Sequence, residues 1–140
     1  MKEGGKRHSF ILSEIAKVVA PGVSTQVLED LARRLITETK GDKAAFLNYR
    51  PRGAKRDYPA SLCVSINNEI VHGIPNESPR ILMEGDIVSL DLGLVHGGLI
   101  TDSAITVAVG VVSEENRKLL EHCKEALYLG IKAAKGGNHV

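Results

Sequence analysis

The sequence predicts an α+β protein in which helices lie on one face of a mainly antiparallel sheet. Three observations lead to this class: two amphipathic segments near the amino terminus, three strand-like segments in the middle, and a capped amphipathic segment near the end. The predicted order is α-α-β-β-β-α. With 140 residues, of which 43% are hydrophobic and 25% charged, the chain has the length and composition of about one globular domain.

The first two elements are predicted helices. In residues 10–20 the apolar side chains recur at helical spacing, and Pro21-Gly22 ends that run. Ser24 or Thr25 then caps a second helix, whose leucines and alanine follow the same spacing until Gly41 ends it.

The middle of the chain predicts three strands. Residues 61–67, SLCVSIN, alternate in polarity, and GDIVSLDLGLV and GGLITDSAITVAVG follow as the next two strands. Ser113, with two glutamates in the first turn after it, then caps a last helix whose apolar residues form one face.

Charge and cysteine content exclude some functional classes. A formal net charge of +1 argues against a global surface for polyanions. Two distant cysteines and the lack of a signal or membrane-spanning run favour a soluble protein of the reducing cytoplasm.

Two acids in the second and third strands are the strongest chemical signal. If the hairpin turns at His96-Gly97, Asp91 pairs directly with Asp102, and like charges so placed are destabilising. A divalent cation offsets that repulsion, and oxygen donors of this kind suit Mn, Mg, Fe or Zn. The alternative is that each Asp faces water at a strand end, or that a register error of one sends one carboxylate to the other face.

A histidine lies just upstream, in INNEIVHGIPN. Taken alone, His72 is most simply a satisfied surface or core residue. Beside a carboxylate pair it is also a donor that works at neutral pH and can stabilise developing charge.

These segments together resemble the first half of the bacterial-type methionine aminopeptidases in order, spacing and residue type. The match runs through SLCVSINNEIVHGIPN, EGDIVSLDLG and LITDSAITVAVG, and the flanking KEGGKR, VAPGVST, AAFLNY and YPASLCVS agree with it. The resemblance implies a pita-bread (creatinase/aminopeptidase) fold, of which residues 1–140 are expected to be the N-terminal half.

The resemblance also implies roles for individual residues. Asp91 and Asp102 match metal ligands for two divalent ions (Co, Mn, Fe or Zn), and His72 matches a catalytic, substrate-binding histidine. Three further positions match residues that line or border the pocket for the methionine side chain: Tyr49, Tyr58 and Cys63. Read without the resemblance, Tyr58 is a loop anchor before a proline and Cys63 a small buried hydrophobe.

The implied activity is metal-dependent removal of the initiator methionine from nascent chains. The family's other ligands, one histidine and two glutamates, belong to a second half expected to be absent from this chain, so the chain alone is expected to be inactive. His96, His122 and His139 do not match those positions. Two alternatives remain: a non-catalytic pita-bread module that binds protein or ribosomal RNA, and a related Xaa-Pro peptidase.

The segment RPRGAKRDYP is longer and more basic than the corresponding loop of the family. Arg50, Arg52, Lys55 and Arg56 provide cations for contact with ribosomal RNA, since phosphate neutralisation is the general source of such affinity. A solvated loop is the alternative, because the only aromatic residues beside it are Tyr49 and Tyr58.

Overall fold

The computed structural model describes residues 1–139, in the order α1 (Lys2–Val18), α2 (Thr25–Thr37), β1 (Lys43–Ala44), β2 (Leu62–Ile66), β3 (Ile87–His96), β4 (Leu99–Ala108) and α3 (Glu114–Ala133). The α+β class is confirmed: helices and an antiparallel sheet make up the molecule. None of the helices in the described residues is long and apolar enough to cross a membrane.

β3 is the centre of the sheet. One of its edges pairs along its whole length with β4, and the other edge pairs with β1 near its end and with β2 further back, always antiparallel. Alternate residues of β3 point to opposite faces. On the face that α1 and α2 cover, the side chains are fully buried: Val88, Leu90, Leu92 and Leu94.

The helix α1 begins earlier than the sequence predicts, at Lys2 rather than near Phe10. The early turns carry glycines and polar residues, but they pack on the sheet: a Cβ on Gly4 would lie 3.3 Å from His96 Cβ. His8 is buried, and its ring nitrogens lie 3.1 Å from Thr101 Oγ1 and 3.0 Å from Ser103 Oγ. These tertiary contacts override the weak helix propensity of the segment.

The predicted caps are confirmed at two helices. Ser24 accepts a hydrogen bond from the Gln26 N–H at the start of α2, and Ser113 accepts one from the Asn116 N–H at the start of α3. The second helix ends at Thr37, before Gly41. The apolar face predicted for α3 exists, but no side chain between residues 114 and 133 is buried.

Candidate active site

The predicted turn of the β3–β4 hairpin was wrong by one residue. His96 pairs with Leu99, so the turn consists of Gly97 and Gly98 rather than His96-Gly97. Both turn residues have positive φ, 57° and 78°. A two-residue turn of this kind favours glycine at both positions, because a side chain strains that backbone conformation.

Moving the turn by one residue moves each partner by two. Asp91 therefore pairs with Ala104, and Asp102 pairs with Gly93, so direct pairing of the two acids is excluded. The side-chain period of a strand is also two, so the acids still share one face and become diagonal neighbours. Diagonal positions lie about 7 to 8 Å apart, with Cβ atoms somewhat closer, which keeps the carboxylates within each other's field.

The electrostatics agree with this arrangement. Burial raises the pKa of the Asp91 carboxyl, and the charge and hydrogen bond of Asp102 raise it further. The nearby His72 has a smaller effect in the opposite direction. An additional positive charge at this face would favour the ionised form of Asp91.

His72 lies on the loop after β2 and is held in the left-handed region, with φ of 61°. The next residue, Gly73, is pressed against β2: a Cβ there would lie 2.1 Å from the Val64 carbonyl oxygen. The Val64 N–H donates to the Gly73 carbonyl at 2.9 Å, and the Gly73 N–H donates to Ser65 Oγ at 3.1 Å. Only glycine fits this close approach, which fixes the backbone beside His72.

Tyr58 and Cys63 form the wall next to this loop. The Tyr58 hydroxyl donates to the Gly73 carbonyl at 3.1 Å, and Cys63 is the pairing partner of Asp91. Burial raises the pKa of the Cys63 thiol to about 11 and raises the pKa of the Tyr58 hydroxyl, so both groups stay protonated at neutral pH.

A buried carboxylate on α2 anchors this wall. Glu29 is fully buried and accepts hydrogen bonds from the N–H groups of Ser61 and Leu62 at 2.8 and 3.0 Å, at the start of β2. Its partner Arg33 also donates to the Pro59 carbonyl at 2.9 Å. The helix thus sets the position of the segment that carries Tyr58.

All six residues that the sequence analysis selected line one cavity. It has a volume of about 430 Å³, within the range of about 300 to 1,000 Å³ that is usual for ligand pockets. The selected residues are Tyr49, Tyr58, Cys63, His72, Asp91 and Asp102.

Seven further residues line the cavity and were not predicted to do so from the sequence. These are Phe46, Pro51, Ala54, Arg56, Asp57, Pro59 and Ile74. Phe46 sits edge-on to Tyr58, with ring centroids 6.4 Å apart, and closes the aromatic side of the cavity. Its segment AAFLNY was part of the resemblance, so the signal was present although the residue was not singled out.

The donor set fits a divalent cation only in part. Asp91 and Asp102 offer two carboxylates to one cavity, and their mutual repulsion favours a positive charge. Within residues 1–139, however, no three His, Cys, Asp or Glu side chains come together as a metal-binding group. Metal sites in proteins usually have three or more protein ligands, so the two carboxylates would need further ligands to hold a metal ion.

Comparisons with known proteins agree with this geometry. A methionine aminopeptidase of Aquifex aeolicus is 48% identical over 139 residues, covering 96% of this chain and 53% of that protein. Methionine aminopeptidase 1 of Bacillus subtilis is 39% identical over 140 residues, again covering 53% of its length. The crystal structure of methionine aminopeptidase from Thermotoga maritima superimposes with a TM-score of 0.87 at 36% identity, over 96% of this chain and 51% of that one.

Residues 1–140 match the model of a protein family that is described as "Metallopeptidase family M24". The chain therefore belongs to metallopeptidase family M24, and the predicted pita-bread fold class is confirmed. It spans about half the length of the relatives it matches.

Proposed function

We propose that this chain is part of a metal-dependent methionine aminopeptidase, which removes the initiator methionine from nascent chains. One observation carries the proposal: six residues chosen from sequence, on three strands and on the loops before and after β2, line a single cavity. The 48% identity to the Aquifex aeolicus enzyme supports the same activity.

The cavity has the chemistry that a methionine side chain requires. Its lining is largely aromatic and apolar, with Phe46, Tyr49, Tyr58 and Ile74 among its residues. Such a surface favours a flexible thioether over a charged side chain, because burying an unpaired charge is costly.

The carboxylates and the histidine supply the polar part of the site. Asp91 and Asp102 would hold divalent cations, for which we propose two ions of Co, Mn, Fe or Zn, together with ligands from outside this chain. When bound, such ions polarise the substrate carbonyl and activate a water. His72 lies close enough to Asp91 to affect its pKa, and it would donate a hydrogen bond to the substrate as charge develops.

The decisive experiment is a substitution at Asp102 in the intact protein that contains this chain. We expect the wild type to release methionine from a Met-Ala peptide only with added divalent metal. Asp102→Asn should lower kcat/KM by at least about a hundredfold, since a neutral amide is a poor metal ligand. Asp30→Asn, on the exposed side of α2, is the matched control and should keep full activity. Unchanged activity in Asp102→Asn would remove that residue from the mechanism.

We also propose that residues 1–140 form one half of a larger domain. The chain spans about half the length of its relatives, and the last strand and helix are exposed. The isolated chain should therefore be inactive and should associate at high concentration. A clean monomer in size-exclusion chromatography at high concentration would count against this.

The other expectations from the sequence remain predictions. Ribosome contact through residues 50–56 would require Arg50 and Arg56 to exchange their ion pairs with Asp57 and Glu77 for phosphate contacts. A parallel assay on Met-Ala and Xaa-Pro peptides distinguishes the methionine enzyme from a proline-specific one. A binding module would retain its partner after chelation of metal, whereas the peptidase would lose activity.

A further inference from the structure

A charged loop, residues 50–57, forms part of the cavity wall and plays no part in the proposed chemistry. Two backbone hydrogen bonds close the neck of this loop. The Asn48 N–H donates to the Tyr58 carbonyl and the Tyr58 N–H donates to the Tyr49 carbonyl, both at 2.9 Å. The loop therefore leaves and rejoins the fold at one fixed point.

Arg56 connects the loop to the segment that carries His72. Its two terminal nitrogens donate to the two carboxylate oxygens of Glu77, with Nη2 to Oε2 at 2.7 Å. Glu77 follows His72 by five residues. A two-point contact between arginine and carboxylate fixes orientation as well as distance, so this ion pair holds the loop against the cavity.

The ion pairs also determine the charge that the wall presents. Arg56 and Asp57 both line the cavity, and each is neutralised by a partner: Arg56 by Glu77, and Asp57 by Arg50 at 2.6 Å. The hydrogen bond and the charge of Glu77 raise the pKa of the Arg56 guanidinium, and arginine is in any case protonated at neutral pH. A wall of paired charges has little preference for the charge of a substrate.

We propose that the Arg56–Glu77 ion pair is a latch that sets the substrate specificity of this cavity. It keeps residues 50–57 in place as a wall, and it prevents Arg56 from attracting acidic residues of the peptide beyond the one held in the cavity. This inference rests on the proposed peptidase function. Arg56 lines the cavity and is exposed, so a peptide that extends from the cavity past this wall would meet its side chain.

A second exposed ion pair provides a comparison. On α3, Arg117 contacts Glu114 with Nε and Nη2 at 2.8 and 2.6 Å, but neither residue lines the cavity. Exposed ion pairs in general contribute little to stability. Glu114→Gln is therefore a matched control that breaks a similar ion pair away from the site.

The latch itself can be tested without substrate. Trypsin cleaves after Arg52 and Lys55, which lie in the loop. In the intact protein, Glu77→Gln should accelerate cleavage there by about two- to fivefold, because losing an exposed ion pair shifts the loop only modestly toward open forms. Glu114→Gln should leave the rate unchanged. An unchanged cleavage rate in Glu77→Gln would overturn the latch.

Specificity requires a second measurement, on the peptides Met-Ala-Asp and Met-Ala-Lys at low ionic strength. The wild type should show similar kcat/KM for both. Glu77→Gln should favour Met-Ala-Asp by about threefold, mainly through KM, since an unpaired cation at a partly exposed rim attracts an acid and salt screens it. The double variant Arg56→Gln/Glu77→Gln should lose that preference, which a general loosening of the fold would not explain.

Equal kcat/KM values for the two peptides in Glu77→Gln would overturn the specificity claim. If the wild type releases no methionine from either peptide, the proposed peptidase function fails. In that case, the charge preference is measured as the ratio of the dissociation constants of the two peptides. If Glu77→Gln leaves this ratio unchanged, the proposed latch is overturned independently of the peptidase function.

Discussion

The packed part of the molecule, made of α1, α2 and β1 to β3, differs sharply from the part made of β4 and α3. Among residues 1–139, every buried hydrophobic residue except Val109 comes before residue 95. The side chains of β4 are at most half-buried, and none between residues 114 and 133 is buried. The chain exposes 9028 Å², against about 7,100 Å² expected for a compact monomer of 15.1 kDa.

The candidate site lies across the boundary between these two parts. Asp91 is on the central strand, with paired strands on both sides, whereas Asp102 is on β4, whose other edge pairs with no strand among residues 1–139. One carboxylate is therefore held by the core, and the other depends on an edge strand. Matched substitutions in the two parts test whether they differ in stability as they differ in burial.

The largest difference between the two parts should be the loss of stability when a leucine in each is replaced by alanine. Leu90, fully buried on β3, and Leu127, 61% exposed on α3, are chemically identical. Leu90→Ala should destabilise the chain by about 3 kcal/mol, because it removes buried methyl groups and leaves a cavity. Leu127→Ala should change the free energy of unfolding by less than about 0.5 kcal/mol. Urea denaturation followed by circular dichroism measures both, and equal losses would mean that α3 is packed in solution.

The alkylation rates of Cys63 and Cys123 should differ by on the order of a hundredfold, because the reaction requires an accessible thiolate. Cys63 is 3% exposed and its pKa is raised to about 11, so at pH 8 its thiol is protonated as well as covered. Cys123, on α3, is exposed. N-Ethylmaleimide at pH 8 should label Cys123 first, as peptide mass spectrometry can show. Labelling of Cys63 should accelerate as the pH rises toward 11, and rapid labelling at pH 8 would contradict its burial.

The smallest difference between the two parts should come from removing the serine cap of α2 or of α3. Ser24→Ala and Ser113→Ala each remove a side-chain acceptor at the start of a helix, a loss of about 1 kcal/mol. Because α2 is packed, Ser24→Ala should lower the urea midpoint of the whole chain. Ser113→Ala should reduce the helical signal before the main transition and leave that midpoint unchanged. A lower global midpoint in Ser113→Ala would show that α3 unfolds together with the core.

Local chemistry explains which parts of the fold the sequence predicts well. The serine caps and the alternation of the strands depend on near neighbours, so they could be located within a few residues. The turn residues were missed although Gly97-Gly98 carried the signal, since a tight two-residue turn requires positive φ at both positions. The error left the site prediction usable because the register moved by two residues and kept both acids on one face.

Long-range contacts were beyond the reach of such reasoning. The two-residue strand β1 has too little sequence to show alternation and exists only because it pairs with the end of β3. Arg56 and Glu77 are 21 residues apart, and their contact depends on how two loops pack. The resemblance indicated the six predicted site residues but gave no information about Arg56 as part of the cavity wall or about its contact with Glu77.

Gly93 has a consequence for how this cavity could be redesigned. It pairs with Asp102 and shares a face with Asp91, and a Cβ at this position would lie 2.6 Å from the ring of Phe46. The backbone of Gly93 therefore packs directly against the Phe46 ring, and it lies opposite Asp102 and two residues from Asp91. Exchanging Phe46 for a smaller side chain would leave space above Gly93, so position 46 is the natural place to widen the cavity without changing the carboxylates.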